Sequence, residues 1–316
     1  QRQMCIRDRP IVILGVFVAD LTFRNDRMPV KGQTLIGKSF KLGPGGKGSN
    51  QVIAARRAGA EVHFIAMLGK DPFGQMALDF YSEEGVNTDY VFQTEKKDTG
   101  AADIMVNDVT GDNAIIVVPG AADLLSPEDV EKAEAAIQNS GVFMTNLEVP
   151  VETMKRGLEL ARKHQVTTIF NPAPAIEFPD SVYPLCDYFT PNETEASSFT
   201  GIQVNDANDA RKAALKLREM GVGTALVTLG EKGCYVLNDD LDEHIPAFDM
   251  TGKVVETTGA GDAFNGGFAH ALASGQSLRD AIRFGSATAA LSVTKPGTAP
   301  AMPSNTDIQS LLNIGT

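Results

Sequence analysis

The segment from Glu256 to Phe268 places a glycine-rich turn and an acidic residue at the start of a predicted helix. Gly259, Ala260 and Gly261 directly precede the helical pattern, so several backbone N–H groups and the positive end of the helix dipole favour an anion there. Asp262 lies in the first turn, where a carboxylate would repel a bound phosphate unless it has a task. The task indicated is removal of a proton from an attacking hydroxyl during phosphoryl transfer. From these residues alone, Asp262 equally fits a helix cap that only satisfies free N–H groups.

A second glycine-rich segment, residues 43–50, reads G-P-G-G-K-G-S-N and leads into a helix predicted from Gln51 to Ala58. It fails the P-loop pattern, because Lys47 is followed by Gly48 rather than by Ser or Thr. The dinucleotide-binding pattern G-x-G-x-x-G fits the glycines at 43, 45 and 48, but it follows a weak strand instead of the first buried one. The glycines permit close approach of a ligand to the backbone, and Asn50 offers hydrogen bonds to it.

Polar side chains also occur at or near the ends of predicted strands. Glu148 ends the strand predicted from Val142 to Leu147, at the edge where open parallel sheets bind ligands. For Asp20, on the second predicted strand, an exposed strand-end residue is the simpler interpretation. Asn192 and Glu195 are three residues apart on the first turn of a predicted helix, so both would face a phosphate and a metal ion. The simpler interpretation of that pair is a capping box.

The predicted strands and helices alternate in the order typical of a parallel sheet covered by helices. The first strand, Ile11 to Leu14, is a short apolar run, as expected of a buried parallel strand. Two stretches break the alternation, at residues 17–42 and 90–118, and we expect them to form a small sheet over a ligand cleft. The predicted fold class is α/β, and residues 10–316 are expected to form one domain.

Composition excludes several classes of function. The 316 residues include 28 basic and 40 acidic side chains, and the net charge of −12 argues against nucleic acid or an anionic membrane surface as the main partner. No apolar run approaches the ~20 residues needed to span a bilayer. The three cysteines form no C-x-x-C pair and the four histidines have no metal-ligand spacing, so we expect a cytoplasmic protein without a histidine metal site. Residues 1–9 are polar and aperiodic, and we interpret them as a non-native leader.

Taken in order along the chain, the motifs resemble those of the ribokinase-like (PfkB) carbohydrate kinases. The similarity extends from Ile11 to Pro303. Each motif is modest alone, and the set in this order is specific. The motifs are G-G-K-G-S-N at 45–50, L-E at 147–148, N-P-A-P at 171–174, P-N-E-T-E-A at 191–196, T-L-G at 228–230 and T-G-A-G-D-A-F-N-G at 258–266. The resemblance implies a three-layer α/β/α ribokinase-like fold with a parallel-rich central sheet, a small β-sheet lid, and a homodimer joined through the lid.

The resemblance also implies a role for each matching residue, with ATP, Mg²⁺ and a small sugar as ligands. Asp262 would take the proton of the sugar hydroxyl, and the turn 259–261 would form an anion hole for the phosphoryl group. Asn192 and Glu195 would organise phosphate and Mg²⁺ through water. The implied sugar-binding positions are Val18, Asp20, Gly46, Lys47, Gly48, Asn50, Glu148 and Asp262. The implied ATP-binding positions are Asn192, Thr228, Leu229, Gly230, Glu231, Lys232, Gly233, Gly261 and Ser286. The implied positions for a monovalent cation, K⁺, are Glu256, Thr258, Ser292, Lys295, Gly297 and Ala301.

Three positions depart from the family pattern. Val18 stands where the family usually has Asn, so one sugar hydroxyl lacks a hydrogen-bond partner there. Glu256 replaces the usual Asp with a longer side chain, and Ala301 stands where Ser is common. The first departure bears on which sugar is bound, and the other two bear on activation by K⁺.

The predicted function is ATP-dependent phosphorylation of a sugar, D-ribose at O5. A family relative acting on deoxyribose, on a nucleoside such as adenosine or on another sugar is an alternative. Two alternatives come from other classes. A nicotinamide-dependent oxidoreductase would use the glycines at 43, 45 and 48 and would bind NAD tightly. A sugar-binding regulator would turn over no ATP.

Overall fold

The computed structural model describes residues 9–314, so residues 1–8 of the expected leader lie outside the described part of the chain. The strands are β1 (Ile11–Leu14), β2 (Val18–Asn25), β3 (Ser39–Gly45), β4 (Val62–Gly69), β5 (Asn87–Thr94), β6 (Thr99–Asn107), β7 (Asn113–Gly120), β8 (Val142–Asn146), β9 (Thr167–Asn171), β10 (Tyr188–Phe189), β11 (Thr224–Thr228), β12 (Cys234–Leu237) and β13 (Asp242–Ile245). The helices are α1 (Lys47–Ala58), α2 (Pro72–Glu84), α3 (Pro127–Lys132), α4 (Glu134–Asn139), α5 (Val151–Lys163), α6 (Glu193–Thr200), α7 (Ala207–Glu219), α8 (Ala260–Ala273), α9 (Leu278–Ser292) and α10 (Asn305–Ile314). None of the helices within residues 9–314 is both long enough and apolar enough to cross a bilayer.

The central sheet has nine strands within the described residues, in the order β13-β12-β11-β10-β9-β8-β1-β4-β5. Pairing is parallel from β5 to β11, and β12 is antiparallel to both of its neighbours. In the fully buried strand β1, Ile11 and Ile13 pack into one core, and Val12 and Leu14 pack into the other. A strand without polar residues is stable here because helices cover both faces of the sheet. The predicted three-layer α/β/α fold is therefore confirmed.

The smaller sheet has the order β3-β2-β6-β7 and is built from the two stretches that break the alternation. The limits predicted for those stretches need three corrections, and one is that β7 continues to Gly120, two residues past the predicted limit of 118. Residues 90–94 belong to β5 of the large sheet, because α2 forms a crossover that returns the chain beside β4. Strand β3 begins at Ser39 and continues to Gly45, three residues past the predicted limit.

Helix α1 begins at Lys47, four residues earlier than the predicted start at Gln51. Gly, Ser and Asn are weak helix formers, which is why the sequence favours a loop there. Contacts from other parts of the chain satisfy the first N–H groups instead. The N–H of Lys47 donates to Glu148 Oε2 over 2.8 Å, and the N–H of Ser49 donates to the carbonyl of Val16 over 3.0 Å. Tertiary hydrogen bonds thus extend the helix into the glycine-rich segment.

Helices α1 and α8 cross at a glycine. A Cβ built on Gly266 would lie 2.5 Å from the Cβ of Ala54 and 2.7 Å from the carbonyl oxygen of Gln51, so a larger residue would force the helices apart. This close approach places the first turn of α8, with Asp262, beside the first turns of α1.

Candidate active site

The carboxyl ends of neighbouring strands deliver polar side chains to one edge of the large sheet. Asn146 ends β8 and Asn171 ends β9, while Thr190 directly follows β10. All three side chains are buried and polar. Ligands in open α/β sheets bind outside this edge. The first turns of α1 and α8 join these strand ends through hydrogen bonds and complete a polar cleft.

Asp262 lies within this polar network rather than in the apolar core. Its side chain is 6% exposed. Its Oδ2 accepts from Asn50 Nδ2 over 2.9 Å, and its Oδ1 accepts from Gln51 Nε2 over 3.2 Å. Burial raises the pKa of Asp262, while Lys47 and the two amide donors oppose that rise. The carboxylate is thus held in a fixed orientation beside a residue expected to bind sugar.

The turn before Asp262 has the backbone geometry of an anion site. Gly259 is the N-terminal cap of α8 with φ +82°, a conformation that favours glycine. Among residues 9–314, no acceptor pairs with the N–H groups of Gly261 and Asp262. A Cβ on Gly261 would meet no atom within 4 Å, so a ligand has room to approach these N–H groups. Such N–H groups and the helix dipole together stabilise a negative group.

Lys47 brings positive charge to the cleft. Burial by itself lowers the pKa of Lys47, but the surrounding carboxylates of Asp262, Glu148 and Glu195 outweigh it and raise the pKa. No carboxylate of the described residues lies within ion-pair distance of its ammonium group. The ammonium group therefore faces three carboxylates without being tied to one of them, and it remains available to an anionic ligand.

Glu148 and Asp20 are carboxylates with raised pKa values. Burial raises the pKa of Glu148 to about 7, with Lys47 opposing the rise. Burial, assisted by the charge of Glu256, raises the pKa of Asp20 to about 6. Asp20 lies on β2 with its carboxylate against the backbone of Gly45, where a Cβ would collide with both carboxylate oxygens. Charged groups held away from water in this way commonly occur at functional sites.

Asn50 and Val18, both expected to bind sugar, differ in what their side chains offer a ligand hydroxyl. Asn50 is 4% exposed, and its Oδ1 is a buried acceptor with no partner among the described residues. A buried acceptor without a partner is costly, and a ligand hydroxyl would satisfy it. Val18, also buried, pairs with Gly45 on one side and Gly100 on the other, and it has no polar atom to offer a sugar.

Asn192 and Glu195 form the capping box that was the simpler interpretation of their spacing. Asn192 Oδ1 accepts from the N–H of Glu195 over 2.8 Å, and Glu195 Oε2 accepts from the N–H of Asn192 over 2.9 Å. This does not remove Glu195 from the site, because Lys47 and Asp262 both act on its charge. Burial raises the pKa of Glu195. Within residues 9–314, no three His, Cys, Asp or Glu side chains converge to hold a metal ion directly.

Six of the nine residues expected to bind ATP, Thr228 to Gly233, form the end of β11 and the short turn that leads to β12. Thr228 lies beside Asn192, since its N–H donates to the carbonyl of Pro191 over 2.9 Å. Leu229 is buried, and residues 230–232 form one turn of 3₁₀ helix with exposed side chains at Glu231 and Lys232. Gly233 closes the turn, because its carbonyl accepts from the N–H of Leu229. Ser286 lies half-buried on α9.

The residues expected to hold a monovalent cation are only partly brought together. Glu256 Oε2 accepts from the N–H of Gly297 over 2.8 Å, which joins the segment before the glycine turn to the loop after α9. The hydroxyl of Ser292 donates to Ala289 of its own helix, and Ala301 is buried. Lys295 and Thr258 are exposed. Of these residues, Glu256 and Gly297 are the pair joined by a hydrogen bond in the described part of the chain.

Comparison with known proteins agrees with this geometry. The family model described as "pfkB family carbohydrate kinase" matches residues 8–305. This chain belongs to the pfkB family of carbohydrate kinases. It is 36% identical to the ribokinase of Haemophilus influenzae over 96% of the chain and 98% of that protein. It is equally identical, at 36%, to a deoxyribokinase of Salmonella typhi over 96% of the chain and 99% of that protein. The structure of Arabidopsis thaliana ribokinase complexed with ribose and ATP has 30% identity and a TM-score of 0.89, covering 96% of the chain and 98% of that structure.

The family membership and the fold together remove the oxidoreductase alternative. The glycines at 43 and 45 lie on β3 of the small sheet, and Gly48 lies inside α1. A dinucleotide-binding turn instead follows a strand of the parallel sheet. In this carbohydrate kinase, the glycine-rich segment connects the small sheet to a helix that carries polar residues of the site.

Sequence reasoning missed the buried amides that surround Asp262. Gln51 was predicted only as the first residue of a helix, yet it contacts the carboxylate. Asn146 is buried as well and was not singled out, while Asn171 and Asn265, also buried, entered only as parts of motifs. Their positions after strands or within a helix turn carry a weak signal in the sequence, since buried Asn and Gln require partners that only the fold supplies.

We expect Glu148→Gln to stabilise this kinase at pH 8. Because the pKa of Glu148 is raised to about 7 from 4.5, the folded protein binds more protons than the unfolded chain between those pH values. Its contribution to the free energy of unfolding is therefore fully present below about pH 4.5 and lost as the pH rises through about 7. The amide avoids that loss, so the variant should be more stable by roughly 1–3 kcal/mol at pH 8.

Urea denaturation of both proteins at pH 8 and pH 5 measures the difference, which should be much smaller at pH 5. Glu83→Gln, at an exposed glutamate on α2, is the matched control and should change little at either pH. Equal stability of the Glu148 variant and the parent at pH 8 would contradict the burial cost assigned to this carboxylate.

Proposed function

We propose that this carbohydrate kinase is a ribokinase, which transfers the γ-phosphoryl group of ATP to O5 of D-ribose. The observation that carries the proposal is the Asp262 carboxylate at the start of α8. It lies beside a turn with free N–H groups and is bonded to Asn50, whose Oδ1 lacks a partner. The named ribokinases that resemble the chain over nearly its full length support ribose as the sugar.

Sugar binding follows from the acceptors that converge on the cleft. The carboxylates of Asp20 and Glu148 and the free Oδ1 of Asn50 each accept a hydrogen bond from a sugar hydroxyl. Hydrogen bonds between hydroxyls and ionised carboxylates are stronger than neutral ones, which offsets the cost of burying the charges. Because Asp20 lies on the small sheet and Asn50 on α1, a sugar bound between them holds the small sheet against the large domain. We propose that the small sheet acts as a lid in this way.

The chemical step is an in-line displacement at phosphorus. Asp262 Oδ2, on the side of Asn50, takes the proton of the attacking hydroxyl as the new bond from that oxygen to the γ-phosphorus forms. The bond between the γ-phosphorus and the bridging oxygen breaks, and ADP leaves with the electron pair. The N–H groups of Gly261 and Asp262 and the ammonium group of Lys47 stabilise charge on the transferring group.

The residues fit Mg²⁺ that arrives bound to ATP. With no direct set of three ligands among residues 9–314, the ion would be held by phosphate oxygens and by a water on Glu195, which is the mode in which Mg²⁺ usually binds. Bound Mg²⁺ neutralises phosphate charge. For K⁺, we propose a site at the junction of Glu256 and the loop around Gly297, where the Glu256 carboxylate lies against the backbone of that loop.

We expect Asp262→Asn to lower kcat by about 10³-fold or more while ribose binding largely survives, because the amide keeps the shape but cannot take the proton. A coupled assay of ADP release measures kcat, and calorimetry measures ribose affinity. Asp240→Asn, at an exposed aspartate in the turn between β12 and β13, is the control and should retain full activity. Near-normal turnover by the Asp262 variant would remove the proposed base.

A substrate panel tests the choice of sugar and of cation. Since Val18 offers no hydrogen bond, we expect ribose to be preferred over 2-deoxyribose by less than about 100-fold in kcat/KM, and adenosine to be a poor substrate. Val18→Asn should increase the preference for ribose. A higher kcat/KM for deoxyribose than for ribose would replace ribose by the sugar of the deoxyribokinase relatives.

The same assay tests the cation. KCl should raise kcat severalfold over choline chloride at equal ionic strength. A kcat that does not respond to K⁺ would remove the cation site.

No turnover of ATP with any sugar would favour the catalytically inactive regulator. The same panel therefore separates the enzyme from the regulator. It also separates the sugars from one another.

We also propose a homodimer joined through the small sheet. One face of that sheet carries Phe23, Phe40, Ile116 and Val118, each between 43% and 63% exposed. Strand pairing places these side chains on the face opposite Asp20. An exposed apolar face of this kind is typical of an interface.

Light scattering of the purified protein should give twice the mass of the 33.6 kDa chain. The double variant Ile116→Lys, Val118→Lys should give the mass of one chain, because charges oppose burial of that face. Leu215→Lys, at an exposed leucine on α7, should leave the mass unchanged. A monomeric parent protein would end the proposal.

Cytoplasmic location is proposed on two grounds. The reaction consumes ATP, and the buried Cys186 and Cys234 are free thiols. Cell fractionation followed by immunodetection tests it, and recovery outside the cytoplasmic fraction would contradict it.

A further inference from the structure

We propose that Gln51 is a positioning residue for the reaction: its buried side-chain amide fixes the Asp262 carboxylate so that one particular oxygen, Oδ2, meets the sugar hydroxyl. The inference rests on the kinase activity proposed above. Gln51 contacts Oδ1 of Asp262 and not the Oδ2 that takes the proton, so it acts through Asp262 alone.

The side chain of Gln51 is fully buried, and each of its polar groups is used. Its Nε2 donates to Asp262 Oδ1 over 3.2 Å and to Asn171 Oδ1 over 3.0 Å. Its Oε1 accepts from Asn146 Nδ2 over 3.4 Å. A primary amide carries two N–H donors and one carbonyl acceptor, so a single orientation of the Gln51 amide satisfies all three neighbours.

The neighbouring amides fix that orientation. Asn171 uses its Nδ2 to donate to the carbonyl of Thr190 over 3.1 Å, so its Oδ1 is left to accept from Gln51. Asn146 uses its Oδ1 to accept from the N–H of Glu148 over 3.0 Å, so its Nδ2 is left to donate to Gln51. If the Gln51 amide were flipped, its NH₂ group would face the Nδ2 donor of Asn146. Its carbonyl oxygen would then face the Oδ1 acceptors of Asn171 and Asp262. The ends of β8 and β9 thus determine which group of Gln51 faces Asp262.

The contact makes the two oxygens of Asp262 unequal. Oδ1 receives an N–H from Gln51, whose other contacts are the buried side chains of Asn146 and Asn171. Oδ2 receives an N–H from Asn50, the residue whose own Oδ1 has no partner in residues 9–314. A carboxylate oxygen accepts more than one hydrogen bond, so Oδ2 still has capacity for the sugar hydroxyl. Loss of the Gln51 contact would free the carboxylate to rotate, and such misplacement of a reacting group is costly to the rate.

The contact also affects ionisation of the base. Burial raises the pKa of Asp262, and donation from Gln51 is among the interactions that oppose the rise. The charged groups that face Asp262 are Lys47 from α1, Glu148 after β8 and Glu195 from α6. Removing the donor should therefore shift the acidic limb of the pH–rate profile to higher pH, since the carboxylate must be ionised to take the proton.

Gln51→Met tests the inference by removing both donors and the acceptor while keeping an unbranched side chain of similar length. We expect kcat to fall about 10- to 100-fold, with the ribose KM within about threefold of the parent, because the acceptors for the sugar stay in place. The acidic limb of kcat against pH should move to higher pH. Gln75→Met, the same change at an exposed glutamine of α2, is the matched control and should alter none of these values.

Gln51→Glu is the second variant, because it keeps the shape if the methionine variant fails to fold. The new carboxylate lies against Asp262, so like charges should raise the pKa of the base and shift the profile further than the methionine variant does. A pH–rate profile that superimposes on that of the parent overturns the positioning role. A lowered melting temperature with unchanged kcat and pH profile assigns Gln51 to stability alone and also overturns it.

The outcomes distinguish this inference from the proposed function. If the parent protein phosphorylates no sugar, the proposed function itself fails. If the parent is active and Asp262→Asn is inactive while both Gln51 variants match the parent, only the positioning role fails.

Discussion

The site depends on one buried contact, in which amides near the start of α1 hold the carboxylate at the start of α8. Asn50 and Gln51 reach Asp262 across a sequence separation of more than 200 residues. Close packing of the two helices at Gly266 brings these side-chain amides within hydrogen-bond distance of the carboxylate. A buried carboxylate without such donors would be neutral or would destabilise the fold, so the contact serves both stability and chemistry.

Around this contact the protein keeps charges that an ordinary core would exclude. Lys47 faces Asp262, Glu148 and Glu195, and the carboxylates outnumber the cation. The pKa values of Glu148, Glu195 and Asp262 are all raised, and burial is the largest cause for each. A set of groups so costly to bury is stable only because the surrounding sheet and helices hold it in place, a common compromise at functional sites. Binding of a sugar and a nucleotide would supply the partners that the isolated chain lacks.

Continuity of the chain couples the small sheet to this cluster. Strand β3 passes through Gly46 directly into α1, so the small sheet and the helix that carries Asn50 and Lys47 form one uninterrupted segment. Asp20, on the neighbouring strand β2, lies against Gly45 of β3. Burial and, after it, the nearby charge of Glu256 raise the pKa of Asp20. Glu256 in turn holds the N–H of Gly297. A movement of the small sheet would therefore change the position of Asp20 relative to Glu256 and to the loop after α9.

The sequence by itself determined the elements whose signals are local. The apolar run Ile11–Leu14, the alternation of strands and helices and the glycine turn before Asp262 each predicted a structure that the fold contains. These signals are readable because strand burial and glycine turns depend on residues close together in the chain. The capping box of Asn192 and Glu195 was readable for the same reason.

Only the tertiary structure determined the contacts between residues that are distant in the sequence, and the effects of those contacts. Helix α1 begins at Lys47 because Glu148 and Val16 accept hydrogen bonds from its first N–H groups. Strand β5 belongs to the large sheet because the crossover through α2 places it beside β4. The fold alone places Gln51 against Asp262 and sets which carboxylates titrate near neutral pH. Hydrogen bonding and desolvation of a buried group depend on every atom around it, and most of those atoms come from remote parts of the chain.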